Sequence, residues 1–351
     1  MPTACINHPD CRVSLQSERL QVHGRTGQSE REELLREIPL RDLDRVILTE
    51  SVQVTSAAMA ALLRAGIPVS YLAWNGQFLG SFLPAMKAHG MARMQQYRRT
   101  SDAGFAMTMA GRIVTAKLYN QRRVLQRLAA NREEGDDSCE APARIEPPDP
   151  ALVAAQQRLE ALFGSLKQSR SVDELRGYEG AATACYFEAW ACFLPRSFPF
   201  VRRSTRPPLN PVNACISFGA TLLYTEAVAF VHAHGLDPAL GVLHATEDGR
   251  WSLALDLIEP FRPVLVEALA LDLFTHQILH THHFEPRQGG VYLNEEGRKR
   301  FFLQYERRME RQFMSECVGH RTTLRQQLEA QVTMYKAALE DPDRFEPFLI
   351  N

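Results

Sequence analysis

A histidine and two carboxylates lie within a mostly apolar stretch of the sequence, residues 241–263 (GVLHATEDGRWSLALDLIEPFRP). Titratable groups in such surroundings are costly to bury unless they pair, change their protonation state or bind a metal. Asp256 and Glu259 are three residues apart, so they share a face on a helical turn. Together with the imidazole of His244 they suit a hard divalent cation of the magnesium or manganese kind. The stretch therefore suggests part of a metal site.

Glu179 is a further carboxylate whose surroundings suggest chemistry. It lies in RGYEGAATACYFEAW, where small residues surround it. Small side chains let a partner helix, a metal ion or a phosphate backbone come close to a carboxylate. Glu179 is thus a candidate ligand, and the alternative is an ordinary glutamate on a helix surface.

The two carboxylates of the first stretch also have a structural alternative. Asp256 can be the N-cap of a helix, and Glu259 can be a first-turn partner of the helix dipole just before Pro260. The residue types alone leave both interpretations open.

The charge of the chain is nearly balanced, with a formal net charge of −1. A dedicated nucleic-acid binder usually carries a clear basic excess, so the total gives no indication of such a partner. Basic residues nevertheless cluster locally, and one face of a nearly neutral protein can meet a polyanion. One cluster contains Arg202, Arg203 and Arg206, and another begins at Arg298.

The composition is that of an ordinary soluble globular protein, with 45% hydrophobic and 23% charged residues among 351. This length predicts two domains. We expect no membrane span, because no apolar run reaches the roughly 18 residues that a span requires. The N-terminus lacks a secretory signal pattern, which predicts a cytoplasmic location. Seven scattered cysteines favour reduced thiols over a disulfide framework.

The N-terminal residues 1–84 are predicted to form a small, mainly β domain. Apolar residues alternate with period two over residues 11–24, as in a half-buried hairpin. A short helix over residues 57–64 is capped by one of the two hydroxyl residues before it. Asn75-Gly76 joins two apolar runs and predicts a hairpin with a type I′ turn.

The pattern becomes helical after a linker at residues 85–90, so residues 91–351 are predicted to form an all-α domain and the chain an α+β fold. The predicted helices cover residues 97–131, 151–167, 172–193, 211–234, 263–279, 295–316 and 321–340. Between the first two, residues 132–150 are charged and rich in proline, which predicts an exposed loop.

Three segments in this order resemble the CRISPR-associated protein one family, the integrases of CRISPR adaptation. They are YEGAATACYF, then LNPVNACISFGATLLYTEAVAFVHAHGLDPALGVLH, then SLALDLIEPFRP. The resemblance extends to IPLRDLDRVILTESVQVTSAAMAALLRAGIPVSYLAWNGQFLG, which is similar to the β domain of the family. It covers nearly the whole chain except the acidic loop and the C-terminal tail.

The resemblance implies a divalent metal, Mn²⁺ or Mg²⁺, bound by a glutamate, a histidine and a third acidic residue. Glu179 and His244 match the first two. The family pattern places the third acid three residues after the aspartate of the LALDL motif, which makes Glu259 the counterpart and Asp256 its catalytic neighbour. Because some members carry aspartate at that place, the division of roles between Asp256 and Glu259 stays open.

The resemblance also implies an activity and partners. The 3′-hydroxyl of an incoming spacer would attack a phosphodiester of the CRISPR repeat, with Arg202, Arg203, Arg206 and Arg298 holding the DNA backbone. A homodimer joined through the β domains would flank a dimer of CRISPR-associated protein two. Two alternatives are a non-catalytic DNA-binding scaffold of the same fold and a general metal-dependent nuclease that acts on branched DNA.

Overall fold

A strand-rich N-terminal part is followed by a helical part in the computed structural model, which confirms the predicted α+β fold class. The structure describes residues 3–8, 10–25, 32–85, 89–134, 150–316 and 318–350. The helices are α1 (Ser56–Arg64), α2 (Gly90–Thr100), α3 (Ala103–Glu134), α4 (Pro150–Ser165), α5 (Val172–Ala191), α6 (Pro211–Ala233), α7 (Ser252–Ile258), α8 (Ala268–Thr275), α9 (Glu295–Glu310) and α10 (Leu324–Ala338).

Two four-stranded sheets make up the N-terminal part. The strands are β1 (Thr3–Ile6), β2 (Arg12–Gln16), β3 (Arg19–Gly24), β4 (Glu33–Pro39), β5 (Arg45–Thr49), β6 (Gln53–Val54), β7 (Val69–Leu72) and β8 (Phe78–Phe82). One sheet has the order β1-β5-β7-β8 and the other β4-β3-β2-β6. In the first sheet β1, β5 and β7 are parallel and β8 is antiparallel to β7.

Strand β5 is buried on both faces, as expected for a central parallel strand. Its side chains alternate between two hydrophobic cores because successive residues point to opposite faces. Val46 and Leu48 belong to the smaller core of the β part, whereas Ile47 belongs to the large core of the helices. Strand β5 therefore lies between the two cores and contributes side chains to both.

The two predicted N-terminal hairpins are present, and the turn of the second one differs from the prediction. Ser17-Glu18 joins β2 to β3, and both residues have left-handed backbone with φ of 47° and 60°, as a type I′ turn requires. In the β7–β8 connection only Gly76 is left-handed, and its N–H donates to the carbonyl oxygen of Ala73. The type I′ prediction at Asn75-Gly76 is thus wrong. Gly76 matters for packing instead, since a Cβ there would lie 2.7 Å from the Phe218 ring of α6.

The short helix α1 begins where the sequence predicts. The side-chain oxygen of Thr55 accepts a hydrogen bond from the N–H of Ala58, which makes Thr55 the N-cap. Gly66, just beyond the end of the helix, has a φ of 77°, a conformation that favours glycine.

The first long predicted helix, over residues 97–131, is two helices in the structure. Asp102 separates them because its side chain accepts hydrogen bonds from the N–H groups of Gly104 and Phe105 and so caps α3. The predicted loop at residues 132–150 falls mostly at residues 135–149, which lie outside the described residues.

The helical part also contains two antiparallel hairpins that the helical patterns did not predict. Their strands are β9 (Phe284–Arg287) with β10 (Gly290–Leu293), and β11 (Phe313–Ser315) with β12 (His320–Thr322). The helix predicted over residues 295–316 consequently ends at Glu310, where an extended Arg311 leads into β11.

Helix α6 is long and apolar enough to cross a membrane by length and composition, contrary to the expectation that no run would be. It is the one such helix within the described ranges, and the apolar window that passes the test is 67% buried inside the structure. Its N-cap Asn210 and the following Pro211 begin it in the ordinary way. A central core helix of a folded protein has the same composition.

A buried group of ions, here called the interface cluster, joins the β part to the helices. Its members are Arg45, Glu226, Arg325 and Glu306. Arg45 on β5 bonds to Glu226 at 2.8 Å and to Thr225 at 2.7 Å, both on α6. Arg325 on α10 contacts the other oxygen of Glu226 at 3.1 Å and Glu306 of α9 at 2.9 Å. The cluster thus ties one strand to three helices.

Candidate active site

Glu179 lies on α5 beside an open surface. The helix begins at Ser171, whose side chain accepts a hydrogen bond from the N–H of Glu174. A Cβ built on Gly177 or Gly180 would meet nothing within 4 Å, so the small residues leave space on either side of Glu179. The Glu179 side chain is 23% exposed. A carboxylate in this position can meet a ligand from solvent.

The backbone of residues 242–244 wraps around the carboxylate of Asp256 on α7. The N–H groups of Val242 and Leu243 donate to Oδ2 at 2.6 and 2.9 Å, and the N–H of His244 donates to Oδ1 at 2.9 Å. Gly241 allows this close approach, because a Cβ there would lie 3.0 Å from the same carboxylate and 2.6 Å from Ser252. Asp256 therefore holds the loop that carries His244.

The Asp256 carboxylate also orients the His244 ring. His244 Nδ1 lies 2.7 Å from Asp256 Oδ1. Since a carboxylate oxygen only accepts hydrogen bonds, Nδ1 carries the proton and donates, and Nε2 of the neutral ring is left with a lone pair. The His244 side chain is 25% exposed whereas Asp256 is fully buried. Such a carboxylate–histidine pair is the usual support of a metal-binding imidazole.

Glu259 follows the last turn of α7 and is almost fully buried, with 4% of its side chain exposed. Its Oε1 accepts a hydrogen bond from Arg262 at 2.9 Å, and its Oε2 contacts the ammonium of Lys117. Burial alone would raise the pKa of Glu259, but the cations of Arg262 and Lys117 hold it well below the ordinary value. Glu259 is thus a carboxylate anion kept charged inside the protein.

Lys117 of α3 joins the two separate carboxylates. Its ammonium contacts Glu179 Oε1 and Glu259 Oε2, and its side chain is only 2% exposed. Burial acts to lower the pKa of Lys117, but the carboxylates of Glu259 and Glu179 outweigh it and raise the pKa. Glu179, Lys117 and Glu259 therefore form a charged line from the surface into the interior, with Thr183 donating to Glu179 Oε1 at 2.9 Å.

The charged line continues behind Glu259. Arg262 lies 4.0 Å from Glu267, and both belong to a π-helical turn, Arg262–Glu267, a feature that is frequent at functional sites. Burial raises the pKa of the Glu267 carboxyl. We call Glu179, Lys117, Glu259, Arg262 and Glu267 the site cluster.

Asp256 and Glu259 have different roles in the structure. Asp256 points to the 242–244 loop, whereas Glu259 points to Lys117, so they do not face one common ion. Asp256 is inside α7 and not its N-cap, which is Trp251. Within the described part of the chain, no three His, Cys, Asp or Glu side chains converge closely enough to hold a metal as they stand.

The four candidate DNA-binding arginines divide into two pairs. Arg202 and Arg206 are exposed. Arg203 donates to Asn213 Oδ1 and to Ser217 Oγ, each at 2.9 Å. Arg298 donates to two backbone carbonyl oxygens, those of Trp74 at 3.1 Å and Leu293 at 2.9 Å. The second pair is thus engaged inside the protein.

The sequence analysis missed Lys117, Arg262 and Glu267. Lys117 has no distinct sequence signal, because the residues one turn further along its helix face, Asn120 and Gln121, are polar, as they would be on a solvated face. Arg262 and Glu267 have none beyond their nearness to Glu259, since a charged pair five residues apart is common on solvated helices.

Comparison with known proteins places this chain in a family. The family model described as CRISPR associated protein Cas1 matches residues 4–307. CRISPR-associated endonuclease Cas1 1 of Thermodesulfovibrio yellowstonii is 33% identical over 281 residues, which are 78% of this chain and 83% of that protein. CRISPR-associated endonuclease Cas1 3 of Thermus thermophilus is 29% identical over 339 residues, or 96% of this chain and 94% of that protein.

Solved structures share the fold over the whole chain. A Cas1 protein from Thermotoga maritima has a TM-score of 0.76 at 23% identity, with 100% of both chains covered. A casposase bound to its integration product has a TM-score of 0.82 at 21% identity, with 97% of this chain and 91% of that chain covered. These structures support the fold, and the family match spans most of the sequence. The resemblance found in the sequence is therefore confirmed, and the chain belongs to the Cas1 family of CRISPR-associated proteins.

Proposed function

We propose that this chain is a divalent-metal-dependent DNA endonuclease and integrase that inserts new spacers into a CRISPR array. The observation that carries the proposal is the pair of carboxylates Glu179 and Glu259, which come from different elements and bracket one cation, the Lys117 ammonium. The side chains of Glu179 and His244 are both partly exposed, and His244 is held by Asp256, which lies three residues before Glu259. We infer that a bound metal ion would draw this imidazole and the two carboxylates together, since no such group of three converges in the described part of the chain as it stands.

The donor set fits Mn²⁺ or Mg²⁺. Carboxylate oxygens suit both ions, and an imidazole nitrogen favours manganese over magnesium. Glu179, Glu259 and the Nε2 of His244 would be the ligands, because Asp256 already accepts three backbone N–H bonds and the Nδ1–H of His244. Asp256 would then contribute by fixing the ring and not by binding the ion.

The reaction exchanges one phosphodiester bond for another. The 3′-hydroxyl of the incoming DNA attacks a phosphodiester of the repeat and displaces a 3′-oxygen, so that one bond forms as one breaks. A divalent ion held by Glu179, Glu259 and His244 would supply charge neutralisation at the attacked phosphate and orientation of the attacking oxygen. Arg262 keeps Glu259 ionised and in place, and Asp256 keeps His244 in the tautomer with a free Nε2.

Relatives support the activity and the partners. The relatives from Thermodesulfovibrio yellowstonii and Thermus thermophilus are named endonucleases, and the similar casposase is bound to an integration product. A chain of a Cas6-RT-Cas1–Cas2 complex shares the fold with a TM-score of 0.78 at 24% identity, and 36% of that chain is covered. We propose that this chain likewise acts on DNA together with Cas2.

A homodimer through the β part is a further element of the proposal. Within the described residues, strands β4 and β8 are the outer strands of their sheets, and an outer strand can offer backbone hydrogen-bonding groups to a partner. Leu34 on β4 is 49% exposed, and Leu79 and Phe82 on β8 are 54% and 50% exposed. Apolar side chains on open edges favour pairing with a second copy, which light scattering of the purified protein would test.

Strand transfer in vitro tests the enzymatic proposal. The purified chain is incubated with Mn²⁺, a short duplex with free 3′-hydroxyl ends and a supercoiled plasmid that carries a CRISPR repeat, and joined products are counted. We expect Glu179→Ala and His244→Ala each to reduce joining at least about 100-fold while DNA binding is retained. Glu188→Ala is the matched control, because Glu188 is on the same helix but is 64% exposed and pairs with Arg158.

The outcomes separate the alternatives. Unchanged joining by Glu179→Ala would overturn the catalytic role of Glu179. DNA binding by the wild type without any joining or cleavage would instead leave a DNA-binding scaffold. Cleavage of branched DNA without any joining to the plasmid would instead favour a general nuclease, with the same site residues acting toward water.

A further inference from the structure

Lys117 is a charged side chain on a buried face of α3. It is 2% exposed, and the residues one turn away on the same face are buried as well, namely Ile113, Val114, Asn120 and Gln121. A buried ammonium is strongly destabilising unless anions compensate it. The carboxylates of Glu179 and Glu259 supply that compensation from two other elements. Lys117 in turn keeps these two negative charges from repelling each other.

The oxygens that contact Lys117 are the ones a metal would need. Glu259 Oε1 is held by Arg262 at 2.9 Å, so Oε2, which faces Lys117, is the oxygen directed toward Glu179. Glu179 Oε1 contacts the same ammonium. A divalent ion bound to both carboxylates would occupy the gap that the ammonium fills. Two cations cannot share it at contact distance, because like charges repel.

We propose that Lys117 is an internal cation that keeps the metal site assembled without metal, and that a divalent ion enters by displacing its ammonium from between Glu179 and Glu259. The inference rests on the proposed function, since it takes these carboxylates as metal ligands. Lys117 is a positioning residue that acts through them. Only molecules in which the Lys117 ammonium has left the gap bind the metal. The apparent Kd for metal is therefore the intrinsic Kd divided by the fraction of such molecules, so Lys117 weakens the apparent affinity.

Calorimetric titration of Mn²⁺ into the full chain tests the competition directly. Lys117→Met keeps an unbranched side chain of similar length and removes the charge. We expect its Kd for Mn²⁺ to fall at least about tenfold below that of the wild type. The matched control is Lys167→Met, because Lys167 is exposed and outside the cluster, and its Kd should not change. An equal or weaker affinity of Lys117→Met would overturn the proposal.

Thermal unfolding gives a second readout that does not depend on activity. Without metal, Lys117→Met should unfold at a lower temperature than the wild type, because two buried carboxylates lose their shared cation. Saturating Mn²⁺ should raise its Tm by more than it raises the wild-type Tm, since a tighter ligand stabilises more at the same concentration. An equal rise in both proteins would contradict the displacement.

A measurement on the wild type covers the case in which Lys117→Met does not fold. In protein labelled with ¹⁵N at the lysine ammonium groups, the buried Lys117 should give a slowly exchanging signal, assigned with Lys117→Arg. Saturation with diamagnetic Mg²⁺ should shift or remove this signal. A signal that stays unchanged at saturation would overturn displacement while leaving the metal site intact. If the wild type binds no divalent ion and Glu179→Ala joins DNA normally, the proposed function itself fails.

Discussion

The interface cluster and the site cluster are alike in composition and differ in access to solvent. Each places arginine or lysine among glutamates in the interior, and each joins elements that are far apart in sequence. In the interface cluster, Arg45 and Glu226 are 7% and 2% exposed, and Arg325 is 11% exposed. In the site cluster, Glu179 is 23% exposed beside an open, glycine-lined surface.

Buried charges can therefore have two roles, because they can hold elements together and they can also be ligands of an ion from solution. The Arg45–Glu226 pair at the centre of the interface cluster is buried on both sides and holds a strand to a helix, although Arg325 also pairs with Glu310, which is 34% exposed. In the site cluster the exposed carboxylate, Glu179, is itself a proposed metal ligand and contacts the buried cation Lys117. The position of the exposed carboxylate in the cluster, and not its exposure alone, distinguishes the two.

The largest expected effect contrasts stability in the two clusters. Glu226→Ala should lower the free energy of unfolding by about 3–5 kcal/mol, because it leaves Arg45 buried without its anion. Glu179→Ala should cost about 1 kcal/mol or less, because Lys117 keeps Glu259 and the removed side chain is partly solvated. Urea denaturation of both variants measures this contrast.

A triple replacement keeps the test informative if Glu226→Ala does not fold. Arg45→Met, Glu226→Leu and Arg325→Met together remove three charges of the cluster and leave Glu306, which is 15% exposed, so stability should return to within about 2 kcal/mol of the wild type. Similar losses in Glu226→Ala and Glu179→Ala would abolish the distinction between the two clusters.

Acid pH should act on the site cluster through Glu259. Its pKa is lower in the folded protein than the ordinary 4.5, so it stabilises the fold above that pH and the contribution is lost as pH falls. Glu259→Gln should therefore be less stable than the wild type at pH 7 by roughly 2–3 kcal/mol and show a flatter decline below pH 5. Unfolding free energies measured from pH 7 to pH 3 check this, and parallel profiles would contradict it.

Glu267 should behave in the opposite sense. Its folded pKa is raised by burial, so its contribution to stability is present below the ordinary value and is lost as pH rises through the folded pKa. Glu267→Gln should thus gain stability relative to the wild type as pH rises from 4 to 8. A constant difference over this range would count against a raised pKa of Glu267 in the folded protein.

Asp256 is outside the site cluster and is expected to support the proposed metal ligand His244. Asp256→Asn replaces an acceptor of three backbone N–H groups by an amide, which disturbs the 242–244 loop and the tautomer of His244. Loss of such support typically costs 10–100-fold in metal affinity, so the Kd for Mn²⁺ should rise by about that factor. Asp272→Asn is the control, since Asp272 is 41% exposed and pairs with Arg308. Unaltered affinity in Asp256→Asn would remove Asp256 from the site.

The smallest expected effects concern arginines outside both clusters. Arg202→Ala and Arg206→Ala should each reduce the dependence of log Kd for DNA on log salt concentration by about one unit, as for a lost phosphate contact. Arg298→Ala should leave this slope unchanged, because Arg298 donates to backbone carbonyl oxygens inside the protein. Equal slopes for all three variants would show that exposure does not decide DNA contact.

Much of the fold follows from local patterns. The period-two alternation of residues 11–24 and the capping hydroxyl of Thr55 predict their elements because the determinants are neighbours in sequence. The Asn75-Gly76 turn differs because Gly76 must pack against Phe218 of α6, a contact that local turn preferences do not contain.

The sequence predicts which residues belong to the candidate site, but it does not predict the role of each residue. Glu179, His244, Asp256 and Glu259 stand out as polar groups in apolar or small-residue surroundings. Asp256 and Glu259 look equivalent in sequence, and only the N–H groups around one and the cations around the other distinguish them. The ligand assignment itself stays a prediction. Lys117 resembles any helix lysine until α5 and α7 are packed against α3.

Because β5 contributes side chains to both cores, one of its faces is uncovered while the chain is still being synthesised. Ile47 faces a core built by helices that follow it, and Arg45 bonds to Thr225, which is 180 residues further along the chain. The ribosome therefore releases the β part with an apolar side chain and a guanidinium still uncovered. Such a surface is prone to aggregate until its partners arrive. We expect the N-terminal 84 residues alone to need a chaperone or a detergent, and the complete chain to unfold in one cooperative transition.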